Sequence, residues 1–541
     1  MKRMIGIDFG TSTTLVAVRE GLDSAPQILP LGTGADPWVP SLIAQTDPIV
    51  VGEKAESVPP ELQVRSIKSG LTRGKEWLDS QSLDLNEVQV REYVKAILAE
   101  VIKRSASKKK GLFTDAKVYL GCPALWSFGN RRILADIANE LGLDVDVLDI
   151  LDEPVAAGVN WIKSEWRDGS RGLELSGKTL VFDAGGGTLD VALLEVSGTE
   201  NPEISVLSAD SLPRSGDDID NSIVAHFKNE DPSLVVDSQN RILLFNAARR
   251  LKEILSKDLS ANAQVAAPIS RSFALTRGKL EELAEPQVLE SLRLVERVLR
   301  QSLLRADSMT STTSIRSMEL AEITNGVKHV VLVGGLSQMP IFTRRLQHMF
   351  ESATITQVAK PQQSVAEGLT YANTVIHLNM PRPPLSFVMK PLKKGAADVI
   401  LYEAFGEIVN HWQAMQGNFL LGHTADLSSV IDGVYEISCV LPNRERTEIP
   451  LVINRGSSKD EYPSIRVEHN SGSEAGKVFF KLYATGEFLI RGKGTELKLR
   501  AKTWGRLRSG SDLGDRRIEL DDVTSKFEGD SGNDASQASR K

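Results

Sequence analysis

At 541 residues the chain is too long for a single hydrophobic core and predicts two to four domains. Its 41% hydrophobic and 25% charged residues are those of a soluble globular protein, and a formal net charge of −7 gives no electrostatic footprint for nucleic acid. No run of about 18 apolar residues exists to span a bilayer, and the opening MKRMIGIDFG reaches Asp8 too soon for a signal peptide. Two cysteines, Cys122 and Cys439, supply neither a disulfide framework nor a zinc-ligand spacing, which fits a reducing, cytoplasmic compartment with no membrane partner.

In chain order, Ile5–Ile7 and Leu15–Val18 read as short strands joined through the turn Asp8–Thr14. Apolar residues at 90, 93, 94, 97, 98, 101 and 102 mark one face of a helix over Val88–Ile102. Gly172–Thr179 spells a P-loop, G-x-x-x-x-G-K-T. That motif needs its Lys-Thr to open a helix, so that helical N–H groups point at phosphate. Here Gly177-Lys178-Thr179 runs into the strand Leu180–Asp183 after a polar stretch, EWRDGSRGLELS, that reads as a loop. The match is accidental. The same strand ends in Asp183, followed by Gly185, Gly186, Gly187 and Thr188 and a second strand. Helical faces follow at 242, 245, 248, 251 and 255 and over Met339–Phe350, with the turn Gly334-Gly335 between strand and helix in HVVLVGGLSQMP. Alternating strand-like and helix-like patterns make residues 1–376 an α/β domain. The Pro-rich 377–386 reads as a linker. Short β-type runs over 387–505 predict a small β-rich domain, and the Gly-, Ser- and Asp-rich 506–541 reads as a disordered tail.

One pattern occurs twice. IGIDFGTSTTLVAV and LVFDAGGGTLDVALLEV share a template of apolar strand, aspartate, glycine turn, hydroxyls and second apolar strand. Two copies about 175 residues apart predict a duplicated unit whose halves face each other across a cleft. Glycines let backbone N–H groups approach phosphate closely, and consecutive N–H groups form an anion-binding nest. A carboxylate at the strand end suits Mg²⁺, held mainly through water. Two opposed hairpins of this kind would grip a nucleotide's phosphates from both sides.

Together these residues resemble the actin-like ATPase superfamily, and within it the 70-kDa heat-shock (DnaK-like) chaperones. The two hairpins are similar to that family's phosphate loops, ILDEPVAAGV (Ile150–Val159) to its connecting segment, and VVLVGGLSQMP to its adenosine motif. The resemblance covers about residues 1–375. It implies ATP or ADP with Mg²⁺ as cofactors, Asp8 and Asp183 in the metal shell, and Gly10, Thr11, Ser12, Thr13 and the Gly185–Gly187 amides on phosphate. It implies catalytic roles for Lys68, Glu153, Asp183 and Thr188, with Asp190 beside the terminal phosphate. Gly216, Arg249, Lys252, Ser256, Gly334, Gly335 and Gln338 would complete the nucleotide site.

Departures from the family pattern are specific. Arg249 stands where a glutamate is expected, Gln338 where an arginine is, and Gln362 where an aspartate is. HLNMPRPPLSFVMK has no acidic, leucine-rich linker, and residues 386–505 carry no recognisable peptide-binding signature, so the expectation is a divergent, lidless relative. The function expected is ATP binding and slow hydrolysis, with lobe closure coupled to a C-terminal β domain that binds a protein client, co-chaperone or exchange factor. The rival readings are a nucleotide-gated scaffold with negligible turnover, a small-molecule kinase and a filament-forming actin-like protein.

Overall fold

In β1 (Arg3–Phe9) and β2 (Thr13–Arg19) nearly every side chain is buried, as expected for strands covered on both faces. The computed structural model describes residues 3–21, 24–34, 36–81, 83–166, 172–198, 201–303, 315, 317–377, 382–393, 397–408, 410–413, 418–420, 422–426, 432–453, 462–467, 479–483, 487–492, 495–501, 507–508 and 518–522. The chain forms two compact units, one of residues 1–299 and 318–376, the other of 300–317 and 377–541.

The first unit repeats one architecture. Its first sheet contains β1, β2, β3 (Gln27–Ile28), β4 (Ala116–Cys122) and β5 (Ile150–Asp152) in the order β3-β2-β1-β4-β5. Its second contains β6 (Gly177–Ala184), β7 (Leu189–Ser197), β8 (Glu203–Leu212), β9 (Val327–Val333) and β10 (Thr354–Gln357), with the same order, β8-β7-β6-β9-β10. In each, the first two strands form an antiparallel hairpin and the fourth lies parallel to the first. The duplication visible in the sequence therefore extends to five strands of each sheet.

Helices among the described residues include α1 (Ile67–Arg73), α2 (Glu87–Lys108), α3 (Phe128–Glu140), α4 (Glu153–Trp166), α5 (Gly216–Glu230), α6 (Ser238–Leu255), α7 (Arg277–Ser302), α8 (Pro340–Met349) and α9 (Ser364–Leu369). α4 is buried along most of its length. Its Val155, Val159 and Ile162 share a core with Val181 and Val331 of the second sheet and Leu369 of α9. That shared core joins the two halves. Arg19, buried at the end of β2, donates to the Thr370 carbonyl and lies 4.4 Å from the Tyr371 ring centroid, which fastens the chain after α9 to the first sheet. Residues 172–175, read as loop from their polarity, form a short helix before β6.

The second unit is β-rich. Ser386–Pro391 lies between Val399–Tyr402 and Gly433–Val440, and Gly433–Val440 also pairs with Glu448–Ile449 and Ser464–Val467. A second sheet runs Gly422–Asp426, Phe479–Tyr483, Glu487–Gly492, Thr495–Ala501, Ile518–Asp522, Leu451–Ile453. Phe387 of the first sheet packs against Phe480 and Phe488 of the second, with ring centroids 5.7 and 5.5 Å away. Those rings form a core between two sheets. Ile518–Asp522 lies in the segment read as a disordered tail. Its alternation of buried Ile518 and Leu520 with charged residues gives it one core-facing side, enough to extend the sheet. The rest of that tail, apart from Leu507–Arg508, lies outside the described residues. Cys122 and Cys439 are both free and buried. Among the described residues no helix is long and apolar enough to cross a membrane.

Candidate functional site

The two hairpins are closed by the same bond at the same place. Asp8 pairs with Leu15 across the first, and the Gly10 amide donates to the Thr13 carbonyl at 3.0 Å. Asp183 pairs with Asp190 across the second, and the Gly185 amide donates to the Thr188 carbonyl at 3.0 Å. Their tips meet. A Cβ on Gly187 would stand 2.6 Å from Thr11 Oγ1 and 2.7 Å from Ser69 Oγ, and one on Gly186 would stand 2.7 Å from Ser12 Oγ. Only glycine leaves the two turns this close.

Around them opens a cleft of about 560 Å³, within the range of small-molecule sites. The first half contributes Asp8, Gly10, Thr11, Ser12, Thr13, Lys68 and Glu153. The second contributes Asp183, Gly185, Gly186, Thr188, Gly216, Arg249, Lys252, Ser256, Gly334, Gly335 and Gln338. Two residues named from the sequence stand behind this lining. Gly187 packs against Thr11 and Ser69, and the Asp190 carboxylate accepts from the Ala124 amide at 2.9 Å and from the Ser211 hydroxyl. The Thr188 hydroxyl also reaches Asp190, so this carboxylate orients Thr188 from behind.

Lys68, near the start of α1, forms a buried ion pair with Glu153, the first residue of α4. Burial opposes the lysine's charge, but Glu153 and Asp8 outweigh it and hold the ammonium above its ordinary value. The carboxylates are crowded. Burial, with repulsion from Glu153, pushes Asp8 up to about 7. Burial and the charges of Asp190, Glu153 and Asp8 push Asp183 well above the usual carboxylate range. Burial, then Glu153, raises Asp190 to about 7. Hard oxygen donors held close against their own repulsion are what a divalent cation relieves; Asp8, Asp183 and Glu153 line the cleft, and Glu153 is taken by Lys68. Among the described residues no three His, Cys, Asp or Glu side chains converge as a direct metal cage; the carboxylate oxygens of Asp8 and Asp183 are of the type a hard cation such as Mg²⁺ takes.

α5 docks its N-terminus onto the second hairpin. The Gly216 and Asp217 amides donate to the Gly185 and Gly186 carbonyls at 3.3 and 2.8 Å, and Ser215 Oγ donates to Gly185 at 2.8 Å. From α6, Lys252 donates to the Gly216 carbonyl at 2.7 Å and pairs with Asp220 at 2.7 Å, while Arg249 pairs with Asp217 at 2.6 Å. The Gly334 turn has φ +77°, open to glycine at little cost. A Cβ there would lie 2.3 Å from the Ala184 carbonyl and 2.4 Å from Asp183 Oδ1.

Several lining or bridging residues went unread in the sequence. Ser66, itself at φ +57°, donates to Asp217 across the mouth of the cleft. Arg73 pairs with Asp218 at 3.5 Å, Arg214 with Glu76 at 3.1 Å, and Arg241 donates to the Ser80 carbonyl at 2.6 Å. Arg65 and Glu56 also line the cleft. Asp217 adjoins Gly216 and Arg65 is three residues from Lys68, so proximity in sequence was the available signal.

Two sheets that share one five-strand order, each presenting an aspartate-glycine hairpin to one cleft, define the actin-like ATPase fold, here followed by a β-rich unit. A profile of the Hsp70 protein family matches residues 4–382. The chain belongs to the Hsp70 family. It is similar to the chaperone protein HscA homolog of Bordetella pertussis (strain Tohama I), with 27% identity over 397 residues, covering 68% of this chain and 57% of that relative. The chain thus spans less than two thirds of the length of the curated relative it matches.

Proposed function

We propose that the cleft binds ATP with Mg²⁺ and hydrolyses it slowly, and that nucleotide-dependent closure of the two halves alters how the C-terminal β unit engages a protein partner, either a client or a co-chaperone. The carrying observation is the contact of the two hairpins, which sets Thr11 and Ser12 against Gly186 and Gly187 above Asp8 and Asp183. The Gly185–Gly187 amides and the Thr11 and Ser12 hydroxyls would hold phosphate oxygens. Asp8 and Asp183 would hold Mg²⁺ through its waters, and the ion, when bound, supplies positive charge to the phosphate oxygens.

In-line attack by water on the terminal phosphate asks for positioning and charge stabilisation more than for covalent chemistry. Lys68 keeps its charge in a buried place because Glu153 and Asp8 sustain it, so it would offset charge on the transferred group. Glu153, fixed by that lysine, and Thr188, oriented by Asp190, would place the attacking water. A cytoplasmic setting suits two thiols that are free and buried. Single-turnover phosphate release from a preformed Mg·ATP complex tests the reading. Thr188→Ala and Asp183→Asn should slow release far more than they lower the melting temperature. Tight binding with no release by the parent protein would favour a nucleotide-gated scaffold instead.

A further inference from the structure

Most cations of the cleft are accounted for. Lys68 is paired with Glu153, Arg249 with Asp217, and Lys252 with Asp220. Arg65 is different. It is half-buried and lines both the cleft and an adjoining cavity of about 110 Å³ floored by Trp77 and Phe245. Among the described residues its guanidinium makes no hydrogen bond or ion pair, and its Nε is buried without an acceptor. Asp217, a nearby carboxylate, is already taken by Ser66 and Arg249. Burial, and then the like charge of Arg249 from the other half, hold the Arg65 guanidinium down to about 10 against the weaker pull of Glu56 and Asp217. A partly buried guanidinium without a hydrogen-bond partner gains from an added anion.

The surroundings say what would supply it. Asp217 Oδ1, which accepts from Arg249 at 2.6 Å, would lie 3.6 Å from a Cβ on Gly186. Arg249 thus borders the tip of the second hairpin, and Arg65 lines the same cleft from the first half. We propose that Arg65 is a specificity-determining residue whose partner is the polyphosphate of the bound nucleotide, so that it reads phosphate charge and helps bring the two halves together. The guanidinium fork suits phosphate oxygens, and the neighbouring cavity leaves room for the side chain to withdraw when no anion is present. This inference rests on the nucleotide reading above.

The test uses the intact chain, as parent, Arg65→Gln and Arg65→Lys. Each is titrated calorimetrically with ATP, ADP and AMP in Mg²⁺ and with inorganic triphosphate as a probe lacking the base, and each is melted without ligand. Arg65→Gln should weaken ATP and triphosphate about 10- to 100-fold and ADP less. AMP should change no more than about twofold, and the ligand-free melting temperature should hold or rise. Arg65→Lys should recover part of the loss. An unchanged ratio of ATP to AMP affinity in Arg65→Gln overturns the inference while leaving nucleotide binding intact. So does a fall in ligand-free melting with equal losses for all nucleotides, the mark of a purely structural arginine. Absence of heat with ATP in the parent overturns the underlying reading and this inference with it.

Discussion

Replacing Lys68 by alanine or methionine separates the electrostatics of the cleft into two measurable parts. The substitution removes one partner of a buried pair and leaves Glu153 beside Asp8, Asp183 and Asp190, whose charges already oppose one another. Breaking such a pair costs about 3–5 kcal/mol. Ligand-free Lys68→Met, which keeps most of the apolar stem, should therefore lose about 3–5 kcal/mol at pH 7. Lys68 lowers Asp8, so without it Asp8 would bind its proton more tightly in the folded variant, which gains on lowering the pH. Its deficit against the parent should shrink from pH 7 towards 5. Urea unfolding of both proteins at three pH values measures this difference. Single-turnover hydrolysis of bound ATP, followed in parallel, should fall about 10²- to 10³-fold, the loss typical of one charge-stabilising donor. A deficit that does not change with pH would mean Lys68 does not hold down the carboxyls beside it. Unchanged hydrolysis would remove Lys68 from the mechanism.

Two further outcomes follow from the same geometry. Gly334→Ala should destabilise the protein by about 2 kcal/mol or more and weaken Mg·ATP binding, because the added Cβ conflicts with Asp183 Oδ1 and the Ala184 carbonyl at a left-handed residue. Calorimetry together with thermal melting detects both losses, and wild-type affinity in the variant would refute the steric argument. Mg·ATP binding at pH 7 should release protons, since Asp8, held at about 7 when unliganded, would lose its proton to the buffer when a cation binds beside it. Titrations in buffers of different ionisation enthalpy should give different apparent heats, and affinity should rise as the pH rises through 7. Heats independent of buffer would contradict the placement of the metal, and removal of Mg²⁺ with a chelator should abolish the release.

The hairpins were legible because their chemistry is local. Aspartate, glycine, hydroxyl and flanking apolar runs lie within about a dozen residues, and each turn closes on itself through a bond between residues three apart, Gly10 to Thr13 and Gly185 to Thr188. The rejection of the P-loop spelling at Gly172–Thr179 was equally local, for Gly177–Ala184 is a strand. What stayed hidden depends on distant segments meeting. The anchoring of Asp190 is one such case, for it depends on the chain after β4 bringing the Ala124 amide against it. Arg65 reads as one more polar residue until α6 sets Arg249 opposite and Ser66 occupies Asp217. Ile518–Asp522 reads as tail because five residues carry too little apolar pattern alone, and it is a strand because Thr495–Ala501 and Leu451–Ile453 flank it.

The most direct measurement is a crystal structure of the intact chain grown with Mg²⁺ and a non-hydrolysable ATP analogue. Triphosphate density between Gly10–Thr13 and Gly185–Thr188, with a metal whose waters reach Asp8 and Asp183, is the predicted result. A nucleotide bound elsewhere, or hairpins parted with the cleft empty at saturating ligand, would contradict it.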